Sequence, residues 1–233
     1  MLSSKYIAPC IEWCKRGVYK TIVPSSDMVI IQSLTRIIQS LLENYITTAA
    51  YKTNTQNAIN NLMNNTQDNK ENKDYSKDVI EYFMIFACVW AVGGMLCKDN
   101  GIDHKMNFSK NWKLEFAKGI TFPTTQDDQT TVFDYYVELD ESGAPSWALW
   151  ADKVKPYEHN PDLSVKQIHV ETVDTYRLHY LIQNLIKAGH PTMFAGPAGL
   201  GKSVLFKSKL QEFVDKLNYQ QAVVSMNYYT TSA

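Results

Sequence analysis

The sequence has no surplus charge of either sign. Over 233 residues, Lys+Arg total 23 and Asp+Glu total 24, a formal net charge of -1. There is thus no global basic field to draw nucleic acid or an anionic membrane, and any partner is recognised locally. Cysteine is scarce. The four present, Cys10, Cys14, Cys88 and Cys97, form no C-x-x-C pair and have no histidine placed to complete a zinc site, so they read as reduced, structural thiols. The opening "MLSSKYIAPCIEW" has no basic stretch ahead of an apolar core, which argues against a secretory leader and for a cytosolic setting. Long apolar runs are also missing. The one stretch to test, "VIEYFMIFACVWAVGGMLC" at 79–97, has Glu81 as its single charge. Its uncharged part, Tyr82 to Cys97, falls short of the roughly 18 to 20 residues that a membrane span needs. Lys77, Asp78, Lys98 and Asp99 close it off, so it reads as a helix buried on most faces inside a soluble domain.

Hydrophobic content of 45% can supply a core for one large domain or two small ones. From Asp27 to Tyr45, apolar residues Met28, Ile31, Leu34, Ile38, Leu41, Leu42 and Tyr45 recur at helical spacing after a "PSSD" start, with Arg36 and Gln39 toward water. Residues 52–73, within an Asn-rich insertion drawn at 52–77, are too polar to offset the entropy of ordering and predict a flexible loop. Phe108, Trp112 and Phe116 mark one face of a short amphipathic helix. "TTVFDYYVEL", the turn "DESGAPSW" and "ALWADKV" predict a β-hairpin, and a helix is expected over 174–187, stopped by Gly189 and Pro191. His104, His159, His169, His179 and His190 show no mutual metal spacing. The tryptophans read as core anchors, with no interleaved basic residues of the kind that bind single-stranded nucleic acid.

The motif that carries chemistry is "GPAGLGKS". Gly196, Gly201, Lys202 and Ser203 satisfy G-x-x-x-x-G-K-[ST], and Gly199 adds a third permissive position. Glycines let the chain turn so that the backbone of Gly196, Pro197, Ala198, Gly199, Leu200, Gly201, Lys202, Ser203 and Val204 lines a phosphate cradle, with successive N–H groups pointing inward. Lys202 would reach the β- and γ-phosphates, Ser203 would coordinate Mg²⁺, and a helix over 202–217 would add its positive N-terminal end. "PTMFA" before the loop and "QQAVVSMNYYTT" after the helix predict two strands of one sheet, and Val204, Leu205, Leu210 and Phe213 the packed positions of that helix. Hydrolysis would further need a strand-terminal carboxylate. "YYVELDE" imitates one in letters, but Asp140 and Glu141 precede the loop and sit at a turn, so that segment reads as a hairpin edge and no catalytic residue is assigned.

With the loop placed, "YFMIFACVWAVGGML", "TTVFDYYVEL", "HVETVDTYRLHYLIQNLI", "GPAGLGKS" and "MNYYTTSA", in that order, resemble the dynein heavy chain at the junction between its second and third AAA+ modules. The resemblance runs over almost the whole chain and leaves the Asn-rich segment without a counterpart. It implies a mixed α and α/β fold. Residues 1–155 would be a helical small subdomain with a β-hairpin linker, and 156–233 the N-terminal part of a P-loop α/β subdomain. It carries Gly196, Gly199, Gly201, Lys202 and Ser203 over as ATP-phosphate and Mg²⁺ contacts and sets Val170 and Thr172 near the adenine. It further implies a regulatory nucleotide site within a microtubule motor ATPase.

Two positions depart from the family pattern. Leu200 stands where a small polar residue is usual, and the Asp-Glu strand, sensor residues and arginine finger have no place in the chain. The expectation is therefore a piece of a longer motor that binds ATP or ADP and does not turn it over alone. Its partners would be neighbouring AAA+ modules, with microtubules and dynein intermediate and light chains reached only through the full-length protein. No nucleic acid and no membrane are expected. A cytoskeletal setting follows, and "NYYTTSA" leans toward an axonemal member by resemblance. The competing readings are an independent small P-loop NTPase or kinase and a non-catalytic module of an AAA+ ring.

Overall fold

The computed structural model describes residues 2–16, 19–63, 77–115, 120–123, 130–157 and 170–231, with backbone alone at residue 3 and over 48–63. They fall into two compact units, Met1–Ala195 and Gly196–Ala233, each described by itself. In the first, a turn of π-helix, Ser3–Ile7, leads into α1, Ala8–Lys15. Then come α2, Asp27–Met63, α3, Lys77–Cys88, and a π-helical turn, Val89–Gly93, that continues α3. Two short strands, β1 (Lys98–Asp99) and β2 (Ile102–Asp103), precede α4, His104–Glu115. The strands β3 (Tyr135–Leu139) and β4 (Pro145–Leu149) pair antiparallel, with Tyr135 opposite Leu149 and Leu139 opposite Pro145, and α5 spans Val173–Lys187. The second unit holds α6, Lys202–Leu217.

The stretch tested above as a membrane span is the centre of the core. Val79, Ile85, Ala87 and Cys88 are fully buried, and Phe83, Phe86, Val89, Ala91 and Val92 nearly so. An all-round apolar helix is what such a position requires, and among the described residues no helix is long and apolar enough to cross a membrane. Around it the rings form an unbroken line. Trp13 meets Phe108 at 5.1 Å between centroids, Phe108 meets Phe133 at 6.1 Å, and Phe133 meets Trp90 at 5.7 Å. Phe86 then links Trp90 at 6.2 Å to Trp150 at 6.4 Å, and Trp150 ends on Tyr180 of α5 at 5.0 Å. Offset and edge-on pairs of this kind add to the burial of the rings themselves. The line also explains Gly93: a Cβ there would stand 2.3 Å from Phe133 Cζ.

Local chemistry sets the ends of the elements. Asn100 and Gly101, both at positive φ, make the two-residue turn between β1 and β2. The side chain of Asp140 closes the β3–β4 turn by accepting from Ala144 N at 2.8 Å and from Ser142 Oγ at 2.6 Å. At the end of α5, His190 N donates to Leu185 O and Gly189 N to Ile186 O, the paired bonds of a Schellman stop.

Several expectations need correction. α2 runs to Met63 and so takes in 52–63, expected as a flexible loop; 64–76 lie outside the described residues. Extending an existing helix gains one hydrogen bond per residue fixed, and asparagine's deficit relative to alanine is below about 1 kcal/mol per residue. The core face of α2 is Ile30, Leu34, Ile37 and Leu41, while Met28 and Ile31 are exposed and Arg36 is half-buried. The second hairpin strand starts at Pro145, inside the segment expected as turn, because Asp140 tightens the reversal to 140–144. Phe116, His159 and His169 lie outside the described residues. No strand forms over 191–195 or 220–231, where Met193, Val223, Val224 and Met226 are exposed. A strand exists by its ladder, and among the described residues no neighbour pairs with either segment.

Candidate functional site

The phosphate-loop motif folds as a loop that closes on its own lysine. Lys202, the first residue of α6, turns its side chain back so that Nζ donates to the carbonyls of Gly196 at 2.8 Å and Pro197 at 2.6 Å. An ammonium has three protons, and two of them are engaged by the loop. Gly199 and Gly201 adopt φ of +81° and +72°, and a Cβ at either would meet nothing within 4 Å. Glycine is therefore required by conformation and not by space. An L side chain in that region costs about 1–2 kcal/mol.

The start of α6 is electrostatically open. Gly201 caps it without a side-chain bond, the first turn holds no acidic residue, and the first helical bond is Leu205 N to Gly201 O at 2.9 Å. The N–H groups of Lys202, Ser203 and Val204 therefore have no acceptor within the helix. Unsatisfied donors, the helix dipole and an ammonium held beside them together fit an anion of phosphate type. Ser203 is exposed at the same end, with a hydroxyl of the kind that ligates Mg²⁺.

The packed positions of α6 are Leu205 and Phe213, buried to 6% and 3% exposure. Val204 is 58% exposed, contrary to the packed role expected for it, because it points out with the first turn. Leu200 is likewise exposed, so its bulk leaves the backbone of the loop undisturbed. Farther along, Glu212 sits between Lys209 at 2.6 Å and Lys216 at 2.9 Å, and these two ammonium groups pull its carboxyl down to about 2. Asp215 accepts from Gln211 at 2.8 Å. Both carboxylates of α6 are thus on its later turns, away from Ser203 in sequence and already engaged.

Val170 and Thr172 belong to the unit Met1–Ala195 and the loop to Gly196–Ala233. Thr172 is the N-cap of α5: its Oγ1 accepts from Thr175 N at 3.2 Å, and its own N–H donates to Thr175 Oγ1 at 2.8 Å. Its carbonyl accepts from Tyr176 N at 2.9 Å, so the polar groups of Thr172 serve the helix start. Sequence reading missed this reciprocal cap, whose signal is the T-x-x-T spacing at a helix start. Val170 is half exposed. Among the described residues no group of three metal-ligating side chains comes together, and Asp140 is occupied in its turn.

The family comparisons agree with this geometry. The profile described as "Dynein heavy chain AAA lid domain" matches residues 1–152, and that described as "P-loop containing dynein motor region" matches residues 157–233. The chain is 32% identical to Dynein axonemal heavy chain 17 of Homo sapiens over 233 residues and 32% identical to the ciliary Dynein beta chain of Heliocidaris crassispina over 232. It is 30% identical over 210 residues to the flagellar outer arm Dynein beta chain of Chlamydomonas reinhardtii. These alignments take in 100%, 100% and 90% of this chain, and the chain spans 4% of the length of each relative. The chain thus belongs to the dynein heavy chain family, carrying its AAA lid followed by the P-loop of its motor region.

Proposed function

We propose that the loop binds the phosphates of ATP or ADP together with Mg²⁺, as one nucleotide site of a dynein heavy chain whose whole length is a microtubule motor ATPase. The observation that carries this reading is the closed loop: Lys202 held against Gly196 and Pro197 at the open N-terminus of α6, with Gly199 and Gly201 left-handed. The backbone from Gly196 to Val204 would wrap the phosphates, Lys202 would neutralise them, and Ser203 would hold the metal. Bound Mg²⁺ would supply charge withdrawal from the phosphate oxygens. By the family resemblance Val170 and Thr172 would lie near the adenine, the polar groups of Thr172 also serving the start of α5.

Binding and turnover separate here. Among the described residues both carboxylates of α6, Glu212 and Asp215, are engaged with neighbouring side chains, and this chain is proposed to bind nucleotide without hydrolysing it. The profile boundaries support reading 1–155 as the small subdomain of one AAA+ module with its hairpin linker, and 156–233 as the start of the next. Neighbouring AAA+ modules are then direct partners, and microtubules and intermediate and light chains act through the whole protein. The axonemal, ciliary and flagellar names of the relatives support an axonemal setting. Titration of the chain with a fluorescent ATP analogue tests this. Saturable binding that tightens with Mg²⁺, and loses that Mg²⁺ gain in Ser203→Ala, is expected; Mg²⁺-independent binding unaffected by the substitution would overturn it.

A further inference from the structure

A second candidate site lies in the unit Met1–Ala195, remote in sequence from the phosphate loop. A cavity of about 460 Å³ opens between the end of α1 and one face of α4. Its wall is aromatic: Trp13 stacks on Tyr19 at 5.6 Å and meets Phe108 edge-on. Its charges are both positive, Arg16 from the end of α1 and Lys110 from α4. Lys110 has no ion-pair partner among the described residues, and Arg16 has only the exposed Glu115 at 3.3 Å. Asn107 and Asn111, one helical turn apart on α4, also line it, as does Leu114, which is 78% exposed.

We propose that this groove docks an acidic, extended peptide segment of a partner protein. The two cations select carboxylates, with steering that salt weakens. The two carboxamides each offer a donor and an acceptor, which suits the alternating N–H and C=O of a peptide backbone better than a single anionic group. Trp13, Tyr19 and Leu114 provide apolar contact for one side chain of the same segment. A small molecule is the poorer fit, since such ligands are held where most of their surface is enclosed. Arg16, Asn107, Lys110 and Leu114 are all exposed.

The test is fluorescence anisotropy on the intact chain with a short labelled peptide rich in glutamate and aspartate around a central leucine. Saturable binding that weakens with salt is expected, along with loss of about tenfold or more in affinity in Lys110→Glu. Asn111→Ala should weaken binding with its salt dependence kept, while Lys187→Glu, on α5, should leave it unchanged. All of these sites are exposed or half-exposed, and thermal melts confirm that the variants fold. The proposal fails if the acidic peptide does not bind, if its basic counterpart binds as well, or if Lys110→Glu has no effect. It fails too if AMP competes for the groove, which would make it a small-anion site, or if sedimentation shows a dimer that Lys110→Glu dissolves.

Discussion

The Lys202 ammonium lies 2.8 Å from the carbonyl oxygen of Gly196, which ties the first glycine of the loop to its lysine. The loop is thereby held in a closed form by its own backbone, with the α6 N-terminus exposed beside it. That relation bears on each expectation about nucleotide binding.

Gly201→Ala places a Cβ at φ +72°, where there is open space but unfavourable backbone. The strain, about 1–2 kcal/mol, should appear as a shifted loop and roughly tenfold weaker nucleotide binding. Helical circular dichroism should change little. A normal affinity would mean that the loop does not need this conformation.

Gly93→Ala acts through packing. A Cβ there would lie 2.3 Å from Phe133 Cζ and 3.1 Å from Phe108 Cδ1, with Trp90 against the Phe133 ring. Overpacking of this kind costs about 1–3 kcal/mol. Urea melts followed by tryptophan fluorescence should show the midpoint falling, and an unchanged midpoint would contradict the close approach.

Glu81 joins the N-terminal turns to α3. A single carboxylate oxygen accepts from Lys5 Nζ at 2.6 Å and from Tyr6 Oη at 2.5 Å, and these bonds hold its carboxyl below the ordinary range. Tyr6→Phe removes a hydrogen bond to a charged group at a buried ring and should cost about 1.5–3 kcal/mol in chemical denaturation. Glu81→Gln should be less stable than the parent at neutral pH, with the gap closing in acid.

Acid should also act on α6. The folded Glu212 carboxyl, at about 2, is depressed from an ordinary 4.5 by Lys209 and Lys216. Its contribution is therefore complete above the ordinary value and is lost as pH falls from there through about 2. Carbon-13 titration of this carboxyl should give a midpoint well below that of a free glutamate; a midpoint near the ordinary value would remove the Lys209–Glu212–Lys216 cluster from the account.

What could be read in advance follows from how local each signal is. Residues 174–187 and 202–217 declared their helices through apolar periodicity and through breakers such as Gly189. The buried α3 could be told from a membrane span by the charges at its ends. The phosphate loop was legible because glycine at Gly199 and Gly201 is a backbone requirement written as a residue type. Less local features were not. The strands expected at 191–195 and 220–231 depend on neighbours that their own residues do not specify, and Val223 and Val224 stand exposed. α1 is short and its burial rests on Cys10 and Cys14 alone, so periodicity gave it no signal. The Asn100-Gly101 turn did carry a signal in its dipeptide and could have been found. At Thr172 the resemblance set a contact near the adenine, and the T-x-x-T spacing also carried a helix cap, made by its bonds to Thr175 and Tyr176.

The measurement that bears most directly on the central claim is calorimetric titration of the intact chain with MgATP, alongside Lys202→Ala. The account predicts one saturable site per chain, at least about tenfold weaker in the variant, with helical circular dichroism unchanged in the absence of nucleotide. No binding by the parent chain, or equal binding by Lys202→Ala, would contradict it.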